Sequence, residues 1–309
     1  MGMEKIKLII VSGPTASGKT GLGIELAKAL KTEVVSADSM QIYKGIPIAT
    51  AQPDEKEMDG VPHHLMGFLG VQESFSVADY LELAHQKIKE IWDKGMIPIL
   101  VGGTGLYIDS LSDDVELSNC GSTELRAKLE AELKEKGAEA LYDRLKSVDP
   151  AAAEKIEINN TRRIIRALEV YEATGISFSR HNELSKAKPT RYETVRFFIN
   201  WDREKLYERI NERVEIMLKN GLLKEAEEFR FKASETGSAQ AIGHKEMYPY
   251  LDGDISMEEA KENLQRATRR YAKRQITWFS KREDNLLLFP EKEDIKEKAI
   301  EVLKERGFI

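Results

Sequence analysis

GPTASGKT, residues 13–20, follows the apolar run KLIIV at 7–11 and precedes a helix-like segment at 21–31. Strand, glycine-bearing loop and helix start, in that order, are what a phosphate-binding P-loop requires. Gly13 and Gly18 permit the tight backbone path that brings N–H groups up to phosphate oxygens. The helix N-terminus adds unsatisfied donors and partial positive charge. Lys19 is placed to reach a terminal phosphate, and the Thr20 hydroxyl to bind Mg²⁺. The whole run, Gly13, Pro14, Thr15, Ala16, Ser17, Gly18, Lys19 and Thr20, is the candidate segment for a diphosphate or polyphosphate. An ordinary turn rich in Gly and Ser would share some of these residues but not all eight in this context. The segment specifies neither ATP nor which group is transferred.

The chain of 309 residues is long enough for one large domain or two modest ones. At 41% hydrophobic and 32% charged it has the composition of a soluble globular protein, and no apolar run approaches membrane-spanning length. Glu4, Lys5 and Lys7 interrupt any secretory core at the start of the sequence. Cys120 is the only cysteine, which rules out an internal disulfide and a thiolate zinc cluster. A cytoplasmic location is expected, with no membrane association. The formal net charge of −6 argues weakly against nucleic-acid binding, but the basic residues are unevenly spread.

Short apolar runs at 6–11, 33–37, 97–101 and 195–200 read as buried parallel strands. Between them, Val77, Tyr80, Leu81, Ala84, Ile88 and Ile91 recur at helical spacing. The alternation predicts an α/β fold: a P-loop parallel-sheet core with helices on both faces, its ligand at the carboxyl edge of the sheet. Residues 122–174 carry no strand signal and read as consecutive helices at 124–136, 138–147, 150–155 and 161–174. Asp149 is placed to cap the third and Gly175 to stop the last. A polar stretch at 177–190 follows. Residues 116–192 are therefore expected to form an inserted all-helical domain, with 1–115 and 193–309 as the catalytic core. Long helices are expected at 203–220, 222–233 and 256–281, the last opened by a Ser256/Glu259 capping box.

A P-loop ATPase places a carboxylate at the end of a second strand to hold Mg²⁺. Here the run 97–101 ends in Gly102-Gly103-Thr104-Gly105, with no carboxylate. The run 33–37 ends in Asp38, followed by Ser39, Met40 and Gln41. At the ligand edge of the sheet, Asp38 is a candidate metal ligand or general base, against its commoner role as a turn or cap residue. Asp202, after the fourth run, is expected to cap the helix that follows.

The set GPTASGKT, DSMQIY at 38–43, PHHL at 62–65, GGTGLY at 102–107, RALE at 166–169, QAIG at 240–243 and KRQITWF at 273–279 resembles the bacterial tRNA dimethylallyltransferases, in order and over nearly the whole chain. The resemblance implies a P-loop fold that binds dimethylallyl diphosphate rather than a nucleotide. It implies transfer of the five-carbon group to the exocyclic N6 amine of the adenosine following the anticodon, releasing diphosphate, with Mg²⁺. On the same resemblance Asp38 is the base, Thr104 an active-site hydroxyl, and Arg213 a diphosphate contact. Asp38, Ser39, Met40, Gln41, Gln240, Gly243, His244 and Lys245 fall in segments that meet tRNA, and Arg126 is a further candidate. His244 stands where tyrosine is expected, Ala49 and Gln52 replace a usual Gly and Lys, and 66–68 lacks a usual acidic residue. His63 and His64 are expected to be structural.

The partners so implied are dimethylallyl diphosphate and a tRNA anticodon stem-loop, with no obligate protein partner. Two basic clusters fit the second. Arg162, Arg163 and Arg166 share a helix, and 263–282 holds Arg266, Arg269, Arg270, Lys273, Arg274, Lys281 and Arg282 without one acidic residue. An ordinary solvated face mixes signs, so the second run favours phosphate. Leu264, Ala267, Tyr271 and Trp278 are expected to form its apolar face. The rival readings are an adenylate isopentenyltransferase, which would not need the basic helix, and an ATP-dependent small-molecule kinase. A non-catalytic RNA adaptor would not be expected to keep Lys19, Thr20, Asp38 and Thr104 together.

Overall fold

The computed structural model describes residues 4–115, 123–186, 189–230, 232 and 237–309. The chain divides into two compact units: Met1–Ser112 with Arg191–Ile309, and Asp113–Thr190.

The first unit is built on six strands: β1 (Ile6–Ser12), β2 (Val34–Ala37), β3 (His63–His64), β4 (Ile99–Gly102), β5 (Tyr192–Ile199) and β6 (Asn285–Leu288). They pair in the order β3-β2-β4-β1-β5-β6, every neighbour parallel. β1 lies at the centre, where both faces are covered. That is why 7–11 is continuously apolar rather than alternating. On one face Ile9, Val11, Ile99, Val101, Val195 and Phe197 pack with Leu22 and Leu26 of the Lys19–Leu30 helix and Leu303 of the Ile295–Glu305 helix. Helix Val77–Asp93 covers β1 and β2 from the other side, where Tyr80 donates its hydroxyl to the carbonyl of Ser36 at 3.0 Å.

The expected strands are present with shifted ends, and two short edge strands, β3 and β6, are added. β3 consists of the paired histidines. His64 Nε2 lies 2.6 Å from Glu33 Oε2, and His63 Nδ1 lies 2.9 Å from the Val61 carbonyl. Both imidazoles have structural partners. Among the described residues no group of three or more His, Cys, Asp or Glu side chains could hold a metal ion. Cys120 lies outside the described residues. No described helix is long and apolar enough to cross a membrane.

The second unit is wholly helical among its described residues: Thr123–Val148 with a break at Gly137, Pro150–Ala153, Thr161–Thr174 and Phe178–Lys186. Gly137 has φ 81°, a left-handed conformation that an L side chain resists, so the two expected helices join across a kink. Leu129, Leu141, Leu145, Ile164, Ile165 and Leu168 form its core. The Phe178–Lys186 helix lies in the stretch read only as polar. Its start is anchored from a distance, because Asp149 accepts from Ser179 N at 2.8 Å and Ser179 Oγ at 2.5 Å while also capping Ala152 N at 3.0 Å.

Helix Met257–Phe279 returns to the first unit and starts at the expected capping box. Its buried stripe is not the expected one. Ala260, Leu264, Thr268, Ala272, Gln275 and Phe279 face inward, whereas Trp278 is 42% exposed and Ala267 and Tyr271 are intermediate. Two polar residues thus occupy the stripe, displaced from an aromatic-based reading by one helical column. Asp202 caps the Arg203–Lys219 helix through Glu204 N at 2.8 Å.

Candidate active site

The P-loop leaves β1 at Ser12 and enters the Lys19–Leu30 helix through Gly18, whose φ of 92° explains the glycine. Ala16 also holds a left-handed conformation, φ 63°, in a non-glycine residue. Such strain persists only where neighbours fix it, and here they do. Arg209 Nε donates to the Ala16 carbonyl at 2.8 Å, Trp201 Nε1 to the Ser17 carbonyl at 2.9 Å, and the Arg209 guanidinium lies over the Trp201 ring at 4.4 Å. Both residues come from the end of β5 and the helix after it. The loop is thus trussed from its carbonyl side; on the other side Thr15 N donates to Gln275 Oε1 at 2.8 Å and Ser17 N to the Pro14 carbonyl at 3.2 Å, and the remaining N–H groups are left for a ligand.

That side opens on a cavity of about 490 Å³ lined by Thr15 to Thr20, Asp38 to Gln41, Arg209, Arg213, Met217, Ile242, Lys245, Tyr271, Arg274 and Gln275 among others. Of the expected diphosphate residues, Gly13 and Pro14 lie behind the lining. The Pro14 carbonyl accepts from Lys19 Nζ at 3.3 Å. Burial in the cavity wall brings the Lys19 ammonium down to about 8, with Asp38 opposing that shift and Arg213 adding to it. Burial also lowers Arg213, again against the nearby Asp38. Two cations and one carboxylate therefore converge on the same space.

Asp38 follows β2 at the carboxyl edge. Its Oδ1 accepts from Met40 N at 2.9 Å and Gln41 N at 3.3 Å, an Asx-type turn that fixes the carboxylate. Oδ2 carries no hydrogen bond among the described residues. Thr104 does not line the cavity. It stands beside it, accepting from Ser39 N at 2.9 Å and hydrogen-bonded to Tyr271. Burial pushes the Tyr271 phenol well up, with Asp38 reinforcing the shift, so this hydroxyl keeps its proton. Gln52, one of the departures, donates to the Gln41 and Tyr43 carbonyls at 2.9 Å each and so orders the segment after Asp38.

The expected tRNA residues divide. Lys245 is exposed and lines the cavity. Gln240 closes the 3₁₀ turn Gly237–Gln240, and its side chain lies outside the described residues. His244, placed by the resemblance in a segment that meets tRNA, is an interior residue, 1% exposed, with Nε2 2.8 Å from Glu225 Oε1 and its ring 4.6 Å from that of Phe229. Its side chain offers no surface for stacking. Gly243 is buried beside Ala49. Glu225 also accepts from Ile48 N and Ala49 N at 2.9 Å each, tying the 47–50 turn to the 243–245 segment.

In the second unit Arg162 and Arg163 are exposed, while Arg126 and Arg166 approach the buried carboxylate of Glu169 at 3.9 and 3.4 Å. On helix Met257–Phe279, Arg266, Arg270 and Lys273 are exposed with no ion pair among the described residues. Arg269 is engaged by Asn211 at 2.9 Å, and Arg282 by Asp284 at 2.9 Å.

The sequence reading missed Arg209, Trp201, Glu225 and Gln275. Only Gln275 had a local signal, a polar residue in register with Leu264 and Phe279.

The IPP transferase family matches residues 41–282. A tRNA dimethylallyltransferase of Acetivibrio thermocellus is 50% identical over 302 residues, covering 96% of each chain. That of Bacillus subtilis is 46% identical over 281 residues, 90% of this chain and 89% of the relative. The solved tRNA isopentenylpyrophosphate transferase of Bacillus halodurans has a TM-score of 0.72 at 43% identity, covering 98% of this chain and 96% of that one. A eukaryotic dimethylallyltransferase acting on tRNA superposes with a TM-score of 0.86 at 30% identity, over 99% of this chain and 79% of that one. A phosphate loop with no strand-end carboxylate on β4, an acid held at the end of β2, and these likenesses over nearly the full length lead to one conclusion: the chain belongs to the IPP transferase family, the tRNA dimethylallyltransferases.

Proposed function

We infer that this enzyme transfers the dimethylallyl group of dimethylallyl diphosphate to the N6 amine of the adenosine following the anticodon in tRNA. The observation that carries this reading is the single cavity in which Lys19, Thr20 and Arg213 meet Asp38. A carbon–oxygen bond to diphosphate breaks, and charge grows on the leaving oxygens. Lys19, Arg213 and the P-loop N–H groups not already bonded within the protein are the groups that meet that charge. A nitrogen–carbon bond forms, and the amine must lose a proton. Asp38 Oδ2 is the acceptor, with Oδ1 held by two backbone N–H groups so that the carboxylate does not swing away. Diphosphate then leaves. Thr104, bridged to Ser39 N and Tyr271, is the hydroxyl beside the adenosine.

Mg²⁺ fits this donor set. Thr20 is among the residues lining the cavity and carries a hydroxyl, and a hard cation that keeps its waters needs few protein ligands when diphosphate oxygens supply the rest. When bound it supplies charge neutralisation on the diphosphate.

A tRNA loop base must leave its stack to reach the cavity. Arg266, Arg270, Lys273 and Lys245 in the first unit, and Arg126, Arg162, Arg163 and Arg166 in the second, supply the phosphate grip. The enzyme is expected to act in the cytoplasm, where its tRNA substrate is.

The test is incubation with labelled dimethylallyl diphosphate, Mg²⁺ and unmodified tRNA, with AMP and ATP arms. Label in tRNA supports the reading. Label in AMP would make the enzyme an adenylate isopentenyltransferase, and phosphorylation of a small molecule from ATP would make it a kinase.

A further inference from the structure

Gln275 lies on the Met257–Phe279 helix, 4% exposed, in a buried stripe with Leu264, Ala272, Phe279 and Thr268, whose hydroxyl is satisfied by the Leu264 carbonyl at 2.8 Å. A buried primary amide needs partners at both ends. Its partners come from two loops far apart in sequence. Oε1 accepts from Thr15 N of the P-loop at 2.8 Å, and Nε2 donates to the Gly103 carbonyl at 2.9 Å. The second contact is close packing as well: a Cβ on Gly103 would sit 2.2 Å from that nitrogen. One turn on, the Trp278 ring fills the space a Cβ on Gly105 would need, at 2.3 Å. Thr104 is thus flanked on both sides by glycines pressed against this helix.

Resting on the function proposed above, we infer that Gln275 is a positioning residue that sets the spacing between the diphosphate loop and Thr104. The amide is directional. Its oxygen can serve only the Thr15 N–H and its nitrogen only the Gly103 carbonyl, so neither a carboxylate nor a hydrocarbon of the same size replaces it. In the proposed transfer the amine attacks, and the diphosphate leaves, at one carbon. The two loops must therefore hold a fixed separation, and a misplacement of about 1 Å costs on the order of 100-fold in such a step. The same helix carries Arg270 and Lys273 on its exposed face, so a tRNA gripped there is referenced to both loops through one rigid element.

The test uses the full-length enzyme with tRNA and dimethylallyl diphosphate. Gln275→Met removes both bonds at nearly constant volume, and Gln275→Glu keeps the acceptor for Thr15 but opposes the Gly103 carbonyl. In Gln275→Met kcat is expected to fall about 10- to 100-fold with KM for tRNA within threefold. In Gln275→Glu the deficit relative to wild type at the same pH should shrink as pH falls, because the protonated carboxyl regains a donor for Gly103. A structural role alone would lower the folded fraction, read by circular dichroism at each pH, and would leave the kcat of the folded enzyme unchanged. If wild type modifies tRNA while Gln275→Met keeps kcat within threefold, the inference is overturned. If Gln275→Met fails to fold, a pH-independent deficit in Gln275→Glu overturns it. If wild type does not modify tRNA, it is the functional reading that fails.

Discussion

The indole of Trp278 donates to Asp109 Oδ2 at 2.6 Å, and the other oxygen of that carboxylate takes a bond from Arg196 Nη2, also at 2.6 Å. Arg196 is 1% exposed in the middle of β5, paired in register with Ile10, and its Nη1 reaches Ser112 Oγ at 2.6 Å. A buried guanidinium is tolerated only with such partners. Asp284 Oδ2, 3.8 Å from Arg196 Nε, still offsets part of the charge, so Asp109→Ala should cost about 3 kcal/mol, the lower end for breaking a buried pair. Trp278→Phe keeps a ring on Gly105 and removes one donor, for about 1 kcal/mol. Urea unfolding of both variants checks the ranking, and equal losses would mean that Asp109 does not serve Arg196.

Asp38→Ala should lower kcat by roughly 100- to 10,000-fold, as expected for loss of a general base. Binding of tRNA should stay within a few-fold, because the backbone contacts lie elsewhere. Single-turnover rates and a separate binding isotherm distinguish the two. Turnover within a few-fold of wild type would remove Asp38 from its assigned role.

Lys19 predicts a pH effect with a defined sign. Burial holds it at about 8 in the folded protein, below its ordinary 10.5. Between those values the unfolded chain binds the extra proton, so apo-protein stability should rise with pH across that window. Diphosphate binding should do the opposite and weaken above about pH 8, as the free enzyme loses the cation that the anion needs. Titration calorimetry with inorganic diphosphate checks the second trend. Lys19→Met should abolish the inflection. An unchanged inflection in that variant would assign it to another group.

Arg270 and Lys273 are exposed, and the buried stripe of their helix runs through other residues. Replacing both with Ala should leave the thermal melt nearly unmoved and flatten the salt dependence of tRNA affinity by about one to two units of slope. Affinity for dimethylallyl diphosphate should be unaffected. A folded double variant with the wild-type slope would shift the phosphate grip to the arginines of the helical unit.

What the sequence disclosed follows from the range over which each signal acts. The P-loop, the strands and most helices are written in consecutive residues: an apolar run, a glycine that must take φ 92°, a Ser256/Glu259 box. The Phe178–Lys186 helix was hard to read because the local cap, Ser177 Oγ accepting from Arg180 N at 3.4 Å, is weak, and the shorter bonds to its start come from Asp149, some thirty residues upstream. Trp201 and Arg209 look like ordinary surface residues until β5 places them behind the loop at Ala16 and Ser17. His244 was placed in a tRNA-meeting segment by resemblance alone, and nothing local in the sequence shows that its side chain turns inward to Glu225. Trp278 shows the converse error: a large ring was assigned to the interior, yet its packing on Gly105 leaves it 42% exposed.

The placement of β1 also fixes the order in which the protein can be made. β1 holds the phosphate loop, yet one of its two neighbours is β5, from Tyr192–Ile199. A nascent chain emerging at about 5–20 residues per second therefore carries its first strand half-paired for on the order of ten seconds or more. The helical unit, residues 113–190, is contiguous and rich in local contacts, so it is free to fold during that interval. The truss from Trp201 and Arg209 arrives only after β5. A released fragment ending at about residue 190 should thus hold a protease-resistant helical unit and an unformed diphosphate site.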